Sequence, residues 1–238
     1  MTIIYPTQQE QDRALLVVKE LFSNDFYDAL CYSLDESRAG HYYRLGLDNW
    51  LNGHHELLNR LSIVMYSGET KVCIIDEFNP NWVLKISFNR ATDPDYVTRK
   101  IAWDFCEREV EFYSKACDNN LQDCFAATYQ LGKINGVFIS IQEAVDADED
   151  VFGDIFDSYV REQYDRDDFE DEEDYEEAVS ESTEDMDNED RIYAVLGADS
   201  DGLIEFIHEH NINDLHAGNW GITSDGRYVL MDFSGFIS

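Results

Sequence analysis

Basic residues are scarce in this 238-residue chain: 17 Lys and Arg stand against 51 Asp and Glu, for a formal net charge of −34. A polyanion of this size repels nucleic-acid backbones and anionic lipid surfaces, so direct nucleic-acid binding and membrane-surface binding are not expected. Proline is rare as well, at 3 residues, and with 13 glycines this excludes collagen-like and proline-rich classes. No apolar run approaches the ~18 residues that a membrane span requires. The opening MTIIYPTQQEQDR has neither a basic stretch nor a long apolar one, so no secretory signal is expected. The five cysteines (Cys31, Cys73, Cys106, Cys117 and Cys124) are odd in number and contain no C-x-x-C pair. Free thiols in a reducing cytoplasm are expected, and neither a disulfide framework nor a zinc site.

Apolar and aromatic residues are plentiful, at 44% and 13%, enough for a substantial core in one sizeable domain or two small ones. The negative charge is concentrated. Residues 143–190 hold 24 acids and only two bases, Arg161 and Arg166, and the densest part, 165–190, has 16 acids in 26 residues. Like-charge repulsion and sparse apolar anchors there predict a mobile, solvated insertion over 146–190. Ser180, Ser182 and Thr183 would then be reachable for phosphorylation. The same stretch could serve as an acidic docking surface. As one continuous helix, 165–190 would span about 39 Å and carry about one charge per 2.4 Å, approaching the charge density of duplex DNA.

The remaining sequence has a clear order of patterns. Residues 1–60 read as mainly helical, with Ala14, Leu15, Val18, Leu21 and Phe22 at helical spacing and Leu47, Trp50, Leu51, Leu57 and Leu58 repeating it. Three short β-rich runs follow at 61–66, 71–75 and 82–88, then a helix over 96–117 and a strand pair at 125–131 and 137–141. Beyond the acidic stretch come a helix over 203–210 and a hairpin around 223–226. This predicts an α+β fold with four parts: a helical region 1–60, a strand-rich part 61–145, the insertion 146–190 and a closing part 191–238.

That closing part contains IEFIHEHNINDLHAGNWGITSDGRYVLMDFSGF. Asp214 and Asn219 stand five residues apart in D-L-H-A-G-N, and Asp232 follows thirteen residues later in D-F-S. Here the chain resembles the protein-kinase-like superfamily. Upstream, Lys85 in V-L-K-I resembles the strand lysine of V-A-I-K, and Glu109 in R-E-V-E-F-Y is the best match to its helix partner, with Glu107 and Glu111 as rivals. Gln142-Glu143-Ala144-Val145 falls where the hinge between two lobes belongs, and Ser67-Gly68-Glu69-Thr70-Lys71 stands in place of the phosphate-covering loop. The resemblance implies a two-lobe fold with an antiparallel N-lobe sheet and helix, an abbreviated C-lobe and a helical N-terminal extension.

The resemblance also implies a chemistry. Phosphoryl transfer needs positioning and charge neutralisation more than covalent help from the protein. Lys85 would hold the α/β-phosphates and Glu109 would fix Lys85. Asn219 and Asp232 would bind Mg²⁺ through hard oxygen ligands. Asp214 would orient the attacking hydroxyl and take its proton. Ser67, Gly68, Glu143 and Val145 complete the implied ATP contacts. Several features depart from the pattern. The loop has one glycine rather than three, H-R-D reads Ile212-Asn213-Asp214, and D-F-G reads D-F-S. The chain ends six residues after Asp232, at Ser238. No activation segment is therefore expected, and His216 is read as a structural part of its loop.

Among kinase-like proteins the chain is most similar to the early-gene serine/threonine protein kinases of T-odd bacteriophages. That likeness implies a phage protein in the host cytoplasm that phosphorylates host proteins. Two alternatives stand beside it: a non-catalytic kinase-fold protein that binds a basic or nucleic-acid-binding host protein through its acidic surface, and a small-molecule kinase.

Overall fold

From Ile63 onward the chain alternates between two faces, and Gly, Asn and Pro punctuate it. The computed structural model turns this into a five-stranded antiparallel sheet in the order β3-β4-β5-β7-β6. It describes residues 4–30, 33–34, 42–43, 45–67, 71–88, 105–169, 171–213 and 215–233. The strands are β3 (Ile63–Ser67), β4 (Lys71–Asp76), β5 (Trp82–Ser87), β6 (Thr128–Ile134) and β7 (Val137–Glu143). Two-residue strands β1 (Ser33–Leu34) and β2 (Tyr42–Tyr43) pair separately. The fold is thus α+β, with nine α-helices among the described residues. Asn135 and Gly136 both have positive φ, the backbone that a two-residue hairpin turn requires, and they join β6 to β7.

The chain forms two compact units: Met1–Glu111 with Ala127–Ala144, and Phe112–Ala126 with Val145–Ser238. In the first, α1 (Gln8–Phe22) starts with a capping box between Thr7 and Glu10 and buries Ala14, Val17, Val18 and Leu21. Helices α2 (Phe26–Ala29), α3 (Leu45–Gly53) and α4 (His55–Leu61) follow, with Phe26 against Trp50 at 4.8 Å. Arg13 fastens α1 to the sheet. Its guanidinium donates to both Asp76 carboxylate oxygens, at 2.6 and 2.9 Å, and to the Leu61 carbonyl at 2.5 Å. The helical region predicted over 1–60 therefore shares a unit with the strands. Helix α5 (Phe105–Asp118) crosses from one unit to the other along the chain.

The second unit overturns the expectation of a mobile acidic insertion. Residues 146–190 contain α6 (Glu149–Arg161), α7 (Glu172–Asp185) and the start of α8 (Asn188–Leu196). Three acids work as helix caps: Asp148, Asp171 and Asp187 each accept from backbone N–H groups at the start of a helix. Further acids crowd the first turns, where the helix dipole favours negative charge. Phe152, Phe156 and Val160 recur every four residues and are buried, as are Tyr175 and Val179. The two bases also counter the repulsion. Arg161 donates to both Glu176 carboxylate oxygens, at 2.8 and 2.6 Å, and to Asp157 at 2.6 Å. Arg166 pairs with Glu172, and both guanidiniums lie over the Tyr175 ring. The segment is also not one rod, because Met186 leaves the helical backbone between α7 and α8, at φ −51° and ψ 129°.

This order removes the premise of a flexible phosphorylation stretch. Ser180, Ser182 and Thr183 all lie on α7, Ser182 Oγ is 2.6 Å from the Tyr164 hydroxyl, and the Thr183 hydroxyl donates to the Val179 carbonyl.

The Arg161 guanidinium holds the Glu176 carboxyl below its ordinary pKa of 4.5. A depressed carboxyl contributes stability above its unfolded pKa, and that contribution is lost as pH falls through the lower folded value. Arg161→Gln should therefore accelerate amide hydrogen exchange across α7 at neutral pH and leave exchange in the five-stranded sheet unchanged. Unaltered exchange in α7 would show that the arginine does not hold this helix.

The rest of the second unit frames a hairpin. After α9 (Asp201–His210) come β9 (Trp220–Thr223) and β10 (Tyr228–Leu230), with β8 (Val145–Asp146) on the other edge of β9. Thr223 and Arg227 close the turn: the Thr223 hydroxyl donates to Asp225, and the Arg227 backbone N–H donates to the same hydroxyl oxygen at 2.9 Å. Cys73, Cys106, Cys117 and Cys124 are free thiols, and burial pushes the Cys124 thiol up to about 11. Cys31 lies outside the described residues. Among the described residues no helix is long and apolar enough to cross a membrane.

Candidate functional site

Residues two apart in a strand share a face. With β5 paired to β4 and β7, one face of the sheet carries Val72, Ile74, Leu84, Ile86, Ile139 and Ile141. All six are buried. The opposite face carries Lys71, Lys85, Ser87, Ser140 and Gln142, and each of these polar residues is buried too. Burying charge is costly unless it is paired. The pairing group is Glu109 of α5, which has no exposed surface. Its Oε2 accepts from Lys85 Nζ at 3.2 Å, and its Oε1 accepts from Lys71 Nζ at 2.5 Å.

The three candidate glutamates of α5 thus have separate partners. Glu107 is exposed and takes both of its contacts from Lys133 Nζ, at 2.9 and 3.0 Å. Glu111 lies near Arg108, whose guanidinium burial lowers from its ordinary value while Glu111 opposes that shift. Glu109 alone of the three meets the strand lysine. Lys71 was not foreseen as a site residue. It ends the Ser67-Gly68-Glu69-Thr70-Lys71 run, and only the strand register reveals that it shares a face with Lys85.

Ser140 is the cross-strand neighbour of Lys85, and its buried hydroxyl has no hydrogen-bond partner among the described residues. A buried polar atom left in that condition beside a lysine fits a site built to take a polar ligand. Ser67 is exposed at the end of β3, and Gly68 lies outside the described residues. Glu143 ends β7 and is buried. Its backbone N–H donates to the Ala127 carbonyl at 2.7 Å, and its carboxylate accepts from the Ala127 N–H at 3.2 Å. One of the three points at which the chain passes between the units lies between Ala144 and Val145.

Val145 lies on β8, paired with Thr223. Its side chain occupies the space over Gly221, where an added Cβ would come within 2.4 Å of Val145 Cγ2. Only glycine fits at 221 without a shift.

In the second unit, Asp214 lies outside the described residues, but the loop around it is fixed at both sides. Ile212 and Leu215 are buried, and the Leu215 carbonyl accepts from the buried Trp220 indole N–H at 3.3 Å. His216 caps the short turn Ala217–Asn219, its Nδ1 accepting from the Gly218 N–H at 3.1 Å. This is the structural role its place in the motif implied.

Asn219 and Asp232, thirteen residues apart, flank the β9–β10 hairpin and come to its open end. Leu230 pairs with Trp220, and one step further the Met231 N–H donates to the Asn219 carbonyl at 2.9 Å. Asn219 is buried, Asp232 is half-buried, and Phe233 beside it packs edge-on to Phe125 at 4.9 Å. No cluster of three His, Cys, Asp or Glu able to hold a metal occurs among the described residues. An amide and a single carboxylate would suit Mg²⁺, which keeps waters and substrate phosphates in its shell and needs few protein ligands.

No protein-family model matches this chain, and no curated protein sequence matches it.

Proposed function

We propose that this protein is a Mg²⁺–ATP-dependent serine/threonine protein kinase of the abbreviated two-lobe kind, a phage protein acting on proteins of its host cytoplasm. The observation that carries this reading is the buried ion pair between Lys85 on β5 and Glu109 on α5. Of three glutamates within five residues, the one matched to the kinase pattern is the one that meets this lysine. The approach of Asn219 and Asp232 at the foot of one hairpin gives the reading a second support.

Bound Mg²⁺–ATP supplies the phosphoryl group and the metal's positive charge. Lys85 would bind phosphate oxygens, its ammonium held by Glu109. Asn219 and Asp232 would hold the metal through their side-chain oxygens. Asp214 would orient the protein hydroxyl and take its proton as the hydroxyl oxygen bonds to the γ-phosphorus and ADP leaves with the bridging oxygen.

A second reading is favoured by the ordered acidic helices. With α6, α7 and α8 capped and clamped, their carboxylates have fixed positions and can dock a basic or nucleic-acid-binding host protein without catalysis.

Thermal unfolding separates the two. ATP with Mg²⁺ should raise the melting temperature well above the effect of ATP alone, since a ligand at 100 times its Kd stabilises by about 2.7 kcal/mol. A missing Mg²⁺-dependent shift at millimolar ATP would end the kinase reading and leave the docking one.

A further inference from the structure

We propose that Lys71 is a second phosphate-binding residue of the same site, sharing Glu109 with Lys85 and meeting the nucleotide's phosphates beside it. This rests on the kinase reading and adds to it a residue that the sequence pattern does not assign.

The criterion that marks Lys85 is a buried ammonium held by Glu109, and Lys71 meets it at shorter distance. Lys71 Nζ is 2.5 Å from Glu109 Oε1, and Lys85 Nζ is 3.2 Å from Oε2. Lys71 is 3% exposed and Lys85 4%. The carboxylate divides its two oxygens between them, so neither lysine displaces the other.

Strand geometry places them as neighbours. Lys85 lies opposite Cys73 and Lys71 lies opposite Ser87, so the two lysines are diagonal partners on one face of β4 and β5. Such partners are ~7–8 Å apart at the backbone, within reach of long side chains. An ammonium has three N–H donors, and Glu109 takes one from each lysine.

Sequence position agrees. Lys71 opens β4 directly after residues 68–70, the segment that stands in place of the phosphate-covering loop. That loop has one glycine, so its backbone follows a phosphate less freely than a three-glycine loop would. A lysine at its end supplies by side chain the positive contact that the loop's backbone gives less readily.

A structural role alone is the competing account: Lys71 would only neutralise Glu109. A changed ratio of ATP to adenosine affinity is required of a phosphate contact, and labelling of the lysines separates a direct contact from an effect of Lys71 through Glu109 on Lys85. Calorimetric titration of wild type, Lys71→Met and Lys71→Arg with Mg²⁺–ATP and with adenosine is the test. Wild type should prefer ATP. Lys71→Met should reduce that preference about ten- to hundredfold, the worth of a hydrogen bond to a charged group, with adenosine affinity unchanged. Lys71→Arg should restore part of it. A wild-type protein that binds no Mg²⁺–ATP would overturn the kinase reading itself. A wild type that binds, with an unchanged ratio in Lys71→Met, would overturn only the role of Lys71.

A measurement on the unaltered protein covers the case in which Lys71→Met does not fold. An acyl-phosphate derivative of ATP transfers its acyl group to a lysine Nζ beside the phosphates, forming an amide and releasing ATP. Peptide mass spectrometry should find Lys71 and Lys85 both acylated, with excess Mg²⁺–ATP protecting both. Acylation of Lys85 alone, or of neither lysine, refutes the proposal.

Discussion

Glu109→Ala is expected to destabilise the protein by ~3–5 kcal/mol, the usual result of removing one partner from a buried ion pair. Native domains are stable by only ~5–15 kcal/mol, so this single change should shift the denaturation midpoint far or prevent folding. The size follows from burial. Glu109 is fully buried, and both ammonium groups that use it are nearly so. Removing the carboxylate takes from both lysines a buried counter-charge that offsets part of the cost of their burial. Glu107→Ala is the internal control. Glu107 and Lys133 are about half exposed, and exposed pairs contribute ~0–1 kcal/mol. Equal denaturant midpoints for Glu109→Ala and Glu107→Ala would mean that the buried triad is not what holds α5 to the sheet.

The family pattern pointed to Glu109, and helical geometry explains why it, rather than Glu107 or Glu111, faces Lys85. At ~100° per residue, positions 107 and 111 point to nearly the same side of a helix and 109 points to the other. The buried positions Cys106, Glu109, Phe112, Tyr113 and Ala116 share that other side. The strands were legible for a similar reason. Alternation and turn residues predicted runs at 61–66, 71–75 and 82–88, and the strands are Ile63–Ser67, Lys71–Asp76 and Trp82–Ser87. The hairpin after β6 was signalled by Asn135-Gly136.

Lys71 was not legible because its role depends on register between two strands. The connection over residues 77–81 decides which residue of β4 faces Lys85, and a slip of one residue would turn Lys71 to the apolar face. The acidic segment failed for a different reason. Net charge treats every carboxylate as repulsive, but Asp148, Asp171 and Asp187 cap helices and Glu176 and Glu172 neutralise Arg161 and Arg166. The apolar spacing of Phe152, Phe156 and Val160 was present in the sequence, and composition masked it. The hairpin that brings Asn219 towards Asp232 was read as short strands, and the motif spacing supplied the pairing of roles.

Asp214→Asn is expected to lower phosphoryl transfer by about 10²–10⁴-fold while Mg²⁺–ATP still raises the melting temperature as in wild type. The two readouts separate because Asp214 is assigned to the hydroxyl and its proton, whereas the phosphates and metal are assigned to Lys85, Asn219 and Asp232. Asparagine keeps the size of the side chain and can still accept a hydrogen bond, but it is far too weak a base to take the proton. Its loop should survive the change, since Ile212 and Leu215 are buried on either side and the Trp220 indole is bonded to the Leu215 carbonyl. Asp232→Asn should instead lose both, the Mg²⁺-dependent part of the thermal shift together with activity. Transfer of labelled phosphate to proteins of a host lysate, measured beside the thermal shift for both variants, distinguishes base from metal ligand. Wild-type transfer by Asp214→Asn would remove Asp214 from the reaction. Loss of the thermal shift in that variant would move Asp214 from proton acceptor to ligand binding.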